Sequence, residues 1–93
     1  MRSYELTVIL QTDEELYRKT KEIIAGTLKQ QGAEIAKEEE LGEKQLAYEV
    51  KGNKRGRYVI YFMKMAPDKV IAAEKVFKLD TNILKYLFVR AED

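Results

Sequence analysis

Two residue types that carry much of enzyme chemistry are missing from this chain: it has no histidine and no cysteine. Without histidine there is no side chain whose ordinary pKa suits a general base at neutral pH, and the commonest metal ligand is gone as well. Without cysteine there is neither a thiolate nucleophile nor a disulfide framework. The densest run of acids is Glu38, Glu39 and Glu40. In an extended chain neighbouring side chains point to opposite faces, so these three do not converge on a proton or a cation. They read as a solvated acidic edge, the usual setting of glutamate, and such an edge discourages the addition of a further strand. Thr7, Thr20, Thr27 and Thr81 have no histidine to activate a hydroxyl. Gly52 and Gly56 bracket a basic turn, but no Lys-Ser or Lys-Thr and no helix follows, so a phosphate-binding loop is not expected. No catalytic constellation, metal site or cofactor is expected.

The cations are more informative. Lys51, Lys54, Arg55 and Arg57 fall within seven residues that contain no acid. The net charge of the chain is only +1, yet it is segregated: residues 1–43 carry six basic and ten acidic side chains, and residues 44–93 carry eleven basic and six acidic. A local basic segment on a nearly neutral chain points to a partner with one anionic patch, not to a protein that coats nucleic acid by charge alone. Arg2, Lys44, Lys51, Lys54, Arg55, Arg57, Lys85 and Arg90 are long cations suited to phosphate oxygens. Such contacts position a protein on RNA without reading its sequence. Arg55-Gly56-Arg57-Tyr58-Val59-Ile60-Tyr61 imitates an RNA-recognition-motif string, but Arg57 stands where an aromatic should follow the glycine, and the next aromatic comes one residue early. Base stacking on such a sheet is therefore not expected.

The elements that hold these residues follow from periodicity. Tyr4, Leu6, Val8 and Leu10 alternate with Glu5, Thr7 and Ile9, which predicts a strand with one buried face. Thr12-Asp13-Glu14-Glu15 predicts a capping box with Thr12 as N-cap and Glu15 reaching back. A helix is expected over about 13–31, with Leu16, Thr20, Ile23, Ile24, Thr27 and Leu28 inward and Gly32 at its end. A second strand starts at Ala33, is bent at Gly42 and continues through Lys44–Lys51. Gly52-Asn53-Lys54-Arg55-Gly56 reads as a turn, and Tyr58–Met65 as a third strand. Pro67-Asp68 opens a second helix, with Val70, Ala73, Val76 and Phe77 inward. Asp80-Thr81-Asn82 turns the chain into a last strand over Ile83–Val89.

The order βαββαβ predicts an α+β, ferredoxin-like sandwich, with a four-stranded antiparallel sheet and both helices on one face. Parity then sends Val59, Tyr61 and Met63 toward the helices with the even positions of the first strand. It sends Glu5, Thr7, Ile9, Tyr58, Ile60, Phe62, Leu87 and Val89 to the other face. Nothing in the chain covers that face, and an apolar patch of that extent predicts a protein partner. A long hairpin curling over part of it is the competing reading.

The run Gly42-Glu43-Lys44-Gln45-Leu46-Ala47-Tyr48-Glu49-Val50 resembles the signature of the bacterial ribosomal small-subunit protein S six family: glycine, any residue, lysine, polar, leucine, alanine, tyrosine, any residue, aliphatic. The opening Met1-Arg2-Ser3-Tyr4-Glu5 is similar to that family's amino terminus. The resemblance extends over the whole chain. It implies the same fold and a structural role in the small ribosomal subunit. It further implies binding to the central domain of 16S rRNA, as a heterodimer with ribosomal protein S eighteen. Leu46, Tyr48 and Val50 would be core and strand anchors, Lys44 and Lys51 rRNA contacts, and Arg2 a further contact. The chain stops at Asp93, so no role for the extended tail of some members is expected.

Ninety-three residues suffice for one modest core, and 1–93 is read as one domain. No apolar run approaches the ~20 residues needed to span a bilayer, and no signal-peptide pattern opens the chain, so a cytoplasmic location is expected. Two other functions fit the fold: a ligand-sensing regulator that self-associates through the open sheet, and a small enzyme using that face. The missing histidine and cysteine weigh against the enzyme.

Overall fold

The computed structural model describes residues 1–91. Its elements run β1 (Arg2–Leu10), α1 (Glu14–Gln30), β2 (Glu34–Val50), β3 (Asn53–Met65), α2 (Pro67–Leu79) and β4 (Ile83–Arg90). The strands form one sheet in the order β2-β3-β1-β4, and every pairing is antiparallel. This is the expected ferredoxin-like arrangement. Alternation along β1 and β3 explains the core: Leu6, Val8, Leu10, Val59, Tyr61, Met63 and Met65 are buried, and they meet Tyr17, Ile24 and Leu28 of α1 and Val70, Ala73 and Phe77 of α2. Tyr86 and Phe88 of β4 pack on the same side, where Phe77 stacks on Phe88 at 6.2 Å and meets Tyr86 edge-on at 5.9 Å.

Several boundaries differ from expectation for local reasons. The N-cap of α1 is Asp13, not Thr12: its Oδ2 accepts the Leu16 amide hydrogen at 3.0 Å. The helix therefore begins one residue later, and separately its buried face differs from the expected one. Tyr17 is buried on it, whereas Leu16 and Ile23 are exposed. Val76, expected inward on α2, is likewise exposed. Pro67 does open α2, with Ala66 as N-cap.

The largest correction concerns the segment read as a basic loop. The turn is only Lys51-Gly52, and both residues have positive φ, at 49° and 79°. Two successive positive φ values are the mark of a two-residue hairpin whose twist matches its strands, and glycine reaches that region without strain. Consequently Lys54, Arg55 and Arg57 belong to β3, with Lys54 and Arg55 exposed and Arg57 half-buried. On β2, extra residues at Ala36 and Leu41 shift the register, and the second shift precedes Gly42 at φ 88°. These bulges bend the long β2–β3 arm.

Candidate nucleic-acid and partner interface

On the uncovered side of the sheet, β1 contributes Glu5, Thr7 and Ile9, which pair across the ladder with Phe62, Ile60 and Tyr58 of β3. All six are half-buried. On the other flank, Leu87 pairs with Thr7 and Val89 with Glu5. Those two aliphatic residues are open to solvent, Leu87 at 59% and Val89 at 45%. The structure therefore brings the eight residues expected on this face into one contiguous band.

One end of the band is not open. The tip of the β2–β3 arm curls over it, as the competing reading anticipated. Leu46 is buried, and it lies against Gly56 and Ile9. Lys85 Nζ donates to the Tyr48 hydroxyl and sits 4.7 Å from the centre of its ring. Lys51 Nζ donates to the Ile83 carbonyl at 3.0 Å. The arm thus reaches past β1 to the start of β4. Tyr48, which the resemblance made a core anchor, is 62% exposed and serves instead as the outer half of this latch. The free part of the face is the stretch from Ile60 and Phe62 across to Leu87 and Val89. Its border carries Lys44 over the Tyr58 ring at 5.3 Å and Lys37 over the Phe62 ring at 5.7 Å. Lys37 is also paired with Glu39 at 2.8 Å.

The eight candidate phosphate ligands do not form one patch. Lys44, Lys51, Lys54 and Arg55 lie along the arm, and Lys85 sits under its tip. Arg2 and Arg90 lie at the opposite end of the sheet, where Tyr4 pairs with Arg90. Lys85 pairs with Ile9, seven residues along β1 from Arg2. At ~3.4 Å per residue that is a separation of roughly 24 Å. Arg55 and Arg57 are already engaged: Arg55 Nε meets Glu43 at 2.5 Å, and Arg57 Nη1 meets Glu14 at 2.7 Å. Arg57 points to the helical side, where its guanidinium lies 3.5 Å from the centre of the Tyr17 ring.

Sequence reasoning missed the polar cluster around Tyr17. Its hydroxyl donates to Glu40 Oε1 at 2.5 Å, and Lys21 bridges Glu38 at 2.8 Å and Glu40 at 2.9 Å. The acidic run is thus split by the pleat: Glu38 and Glu40 turn to the helices and Glu39 to the open face. Burial, and then the bond to Glu40, push the Tyr17 phenol up to about 12. The same bond, reinforced by Lys21, holds Glu40 below the usual carboxylate range. Burial disfavours charged Lys21, but the bonds from Glu38 and Glu40 outweigh it and its pKa is raised. Nearby, the buried Tyr61 hydroxyl has no hydrogen-bond partner among the described residues, and its pKa is pushed up by burial first and Glu38 second. The spacing of Tyr17 and Lys21, one helical turn apart, was the signal available in the sequence.

Among the described residues, no group of three or more His, Cys, Asp or Glu is placed to hold a metal ion. No helix among them is long and apolar enough to cross a membrane.

Comparison with known proteins points one way. The family model described as Ribosomal protein S6 matches residues 3–90. A small ribosomal subunit protein bS6 from Treponema denticola is 42% identical over 93 residues, covering 100% of both chains. A bS6 from Halalkalibacterium halodurans is 35% identical over 96 residues, again covering 100% of both. Among solved structures, 30S ribosomal protein S6 from Thermotoga maritima superposes with a TM-score of 0.89 at 22% identity, over 97% of this chain and 87% of that one. The P2 domain of the chemotaxis kinase CheA, in complex with the response regulator CheY, gives a TM-score of 0.64 at 13% identity over 97% of this chain and 98% of that one. At such identities the structural likenesses are of fold alone, and fold is shared across unrelated functions.

Proposed function

This chain belongs to the ribosomal protein S6 family of the small ribosomal subunit, and we propose that it binds the central domain of 16S rRNA jointly with ribosomal protein S eighteen. In this reading it is a structural protein of the cytoplasmic ribosome, not an enzyme, and 1–93 acts as one domain. The observation that carries it is the uncovered band of Ile60, Phe62, Leu87 and Val89 beside a fringe of cations. Fully burying a large aliphatic or aromatic side chain is worth ~1.5–3 kcal/mol. Leu87 and Val89 are open and Ile60 and Phe62 half-buried, so covering the band gains less than four full burials but offsets part of the several kcal/mol that association costs, which supports a protein partner on this face. Glu5, Thr7, Ile9 and Tyr58 complete the contact, with Ile9 and Tyr58 nearest the latch.

The RNA contacts follow from charge. Lys44, Lys51, Lys54 and Lys85 gather at the arm, with Arg2 and Arg90 at the far end. Arg55 and Arg57 join them only by exchanging Glu43 and Glu14 for phosphate, which makes them the weaker contributors. A net charge of +1 fits weak RNA binding alone, with a basic partner adding further phosphate contacts.

Phe62→Asp tests the partner face. Phe62 lies outside the buried core, so the variant should keep the fold, as read by circular dichroism, while its affinity for S eighteen drops at least tenfold in calorimetry. An unchanged affinity would remove the open sheet from the interface.

A further inference from the structure

Among the described residues, five cations have a carboxylate within ion-pair distance: Lys19, Lys21, Lys37, Arg55 and Arg57. Three others converge without one among the described residues. Lys51, Lys78 and Lys85 line a surface recess of about 400 Å³ at the outer edge of the sheet, between the end of α2 and the start of β4. Its floor is Phe77, Ile83 and Tyr86, and no acidic side chain lines it. Two of the lysines are fixed by neutral acceptors: Lys51 by the Ile83 carbonyl and Lys85 by the Tyr48 hydroxyl. Each spends one of three ammonium hydrogens that way and keeps its full charge. The third, Lys78, is in the last turn of α2. The helix end adds about half a negative charge, and the nearby carboxylates of Glu74, which acts on the Tyr86 phenol, and Asp80, which accepts the Asn82 amide hydrogen, form no ion pair with the three ammonium groups among the described residues.

We propose that Lys51, Lys78 and Lys85 form a seat for adjacent backbone phosphates of RNA, one to each ammonium group, so that the RNA-contacting surface wraps around the β4 edge onto the helical layer. The inference rests on the RNA-binding reading above and adds Lys78, which lies on a helix far in sequence from the basic segment. The arm latch is part of the seat, because it is the folded-over tip that carries Lys51 to β4.

The test measures binding of the chain, paired with S eighteen, to a central-domain rRNA fragment across a salt series. Lys78→Gln should lower the magnitude of the log affinity against log salt slope by about 0.7–0.9, the loss of one phosphate contact. Lys78→Arg, which keeps the charge, should retain the wild-type slope. Lys75→Gln, an exposed lysine of the same helix outside the recess, should leave the slope unchanged. If the wild type binds and Lys78→Gln keeps its slope, or if Lys75→Gln lowers the slope equally, the seat is overturned while the RNA-binding reading stands. If the wild-type pair does not bind the fragment at all, both fall together.

Discussion

Gly56 shows how one missing methyl group shapes the candidate interface. It is buried in β3 and its φ is not positive, so alanine would meet no backbone strain there. The obstacle is contact alone: an added Cβ would press into Cγ2 of Ile9, with the Leu10 carbonyl oxygen at 3.4 Å and Leu46 Cδ2 at 3.6 Å. Gly56→Ala should therefore destabilise the protein by about 1–3 kcal/mol in denaturant unfolding, the usual cost of overpacking. Ile9→Ala in the same chain should return part of that loss, because it removes the clashing methyl; strict additivity of the two changes would contradict the packing argument. The Tyr17–Glu40 bond makes a second prediction, on pH. Glu40 is held low in the folded state, so its contribution to stability is present above the ordinary glutamate range and is lost as pH falls through its folded value. Tyr17→Phe removes the largest cause. The Glu40 carboxyl should then titrate closer to its ordinary value by carbon NMR, and the acid loss of stability should become shallower. A Glu40 midpoint that does not move would mean that Lys21 alone sets it.

At the scale of elements, the β2–β3 arm decides what is open and what is covered. Its outer residues, 44–57, are held to the rest by Leu46, the Tyr48–Lys85 contact, the Lys51–Ile83 bond and the Arg57–Glu14 pair. A segment with so few buried apolar side chains opens more readily than the core strands. Tyr48→Ala should therefore raise amide hydrogen exchange in 44–57 while leaving Leu6, Val8 and Val59 protected. Equal acceleration everywhere would show that the arm and the core open as one unit. Alternation of apolar with polar side chains gave the faces of β1, parity within the expected sheet gave those of β3, which is apolar on both, and Pro67 gave the start of α2. The turn was misplaced because Gly52-Asn53 and Gly56 looked like loop chemistry, and it was the positive φ at a lysine that allowed a two-residue hairpin at 51–52 instead. Moving the turn turned a basic loop into strand, and with that Arg57 swung to the helical side to meet Glu14 and Tyr17. The role of Tyr48 was hidden for a similar reason: local alternation predicts a face, but the bent arm determines whether anything lies against it. The recess at Lys78 joins residues far apart in sequence, and no local pattern encodes it.

For the whole molecule, the distribution of charge matters more than its sum. The longest dimension is 36 Å, and the proposed phosphate ligands sit toward both ends of the sheet, so bound RNA would run along much of the molecule. Contacts so far apart, with the apolar band between them, leave the chain short of a dense cationic surface. Under the proposed function, rRNA binding therefore belongs to the protein pair and not to this chain by itself. If Arg2, Lys44, Lys51, Lys54, Lys78, Lys85 and Arg90 each neutralise one phosphate, they contribute a slope of about −5 to −6 in log affinity against log salt, to which the partner adds its own. The decisive measurement is binding of the wild-type chain to a central-domain 16S rRNA fragment, with and without S eighteen, over a range of salt. The account predicts tight binding only with the partner, falling steeply as salt rises. Equal binding with and without the partner, or a pair whose affinity ignores salt, would contradict it.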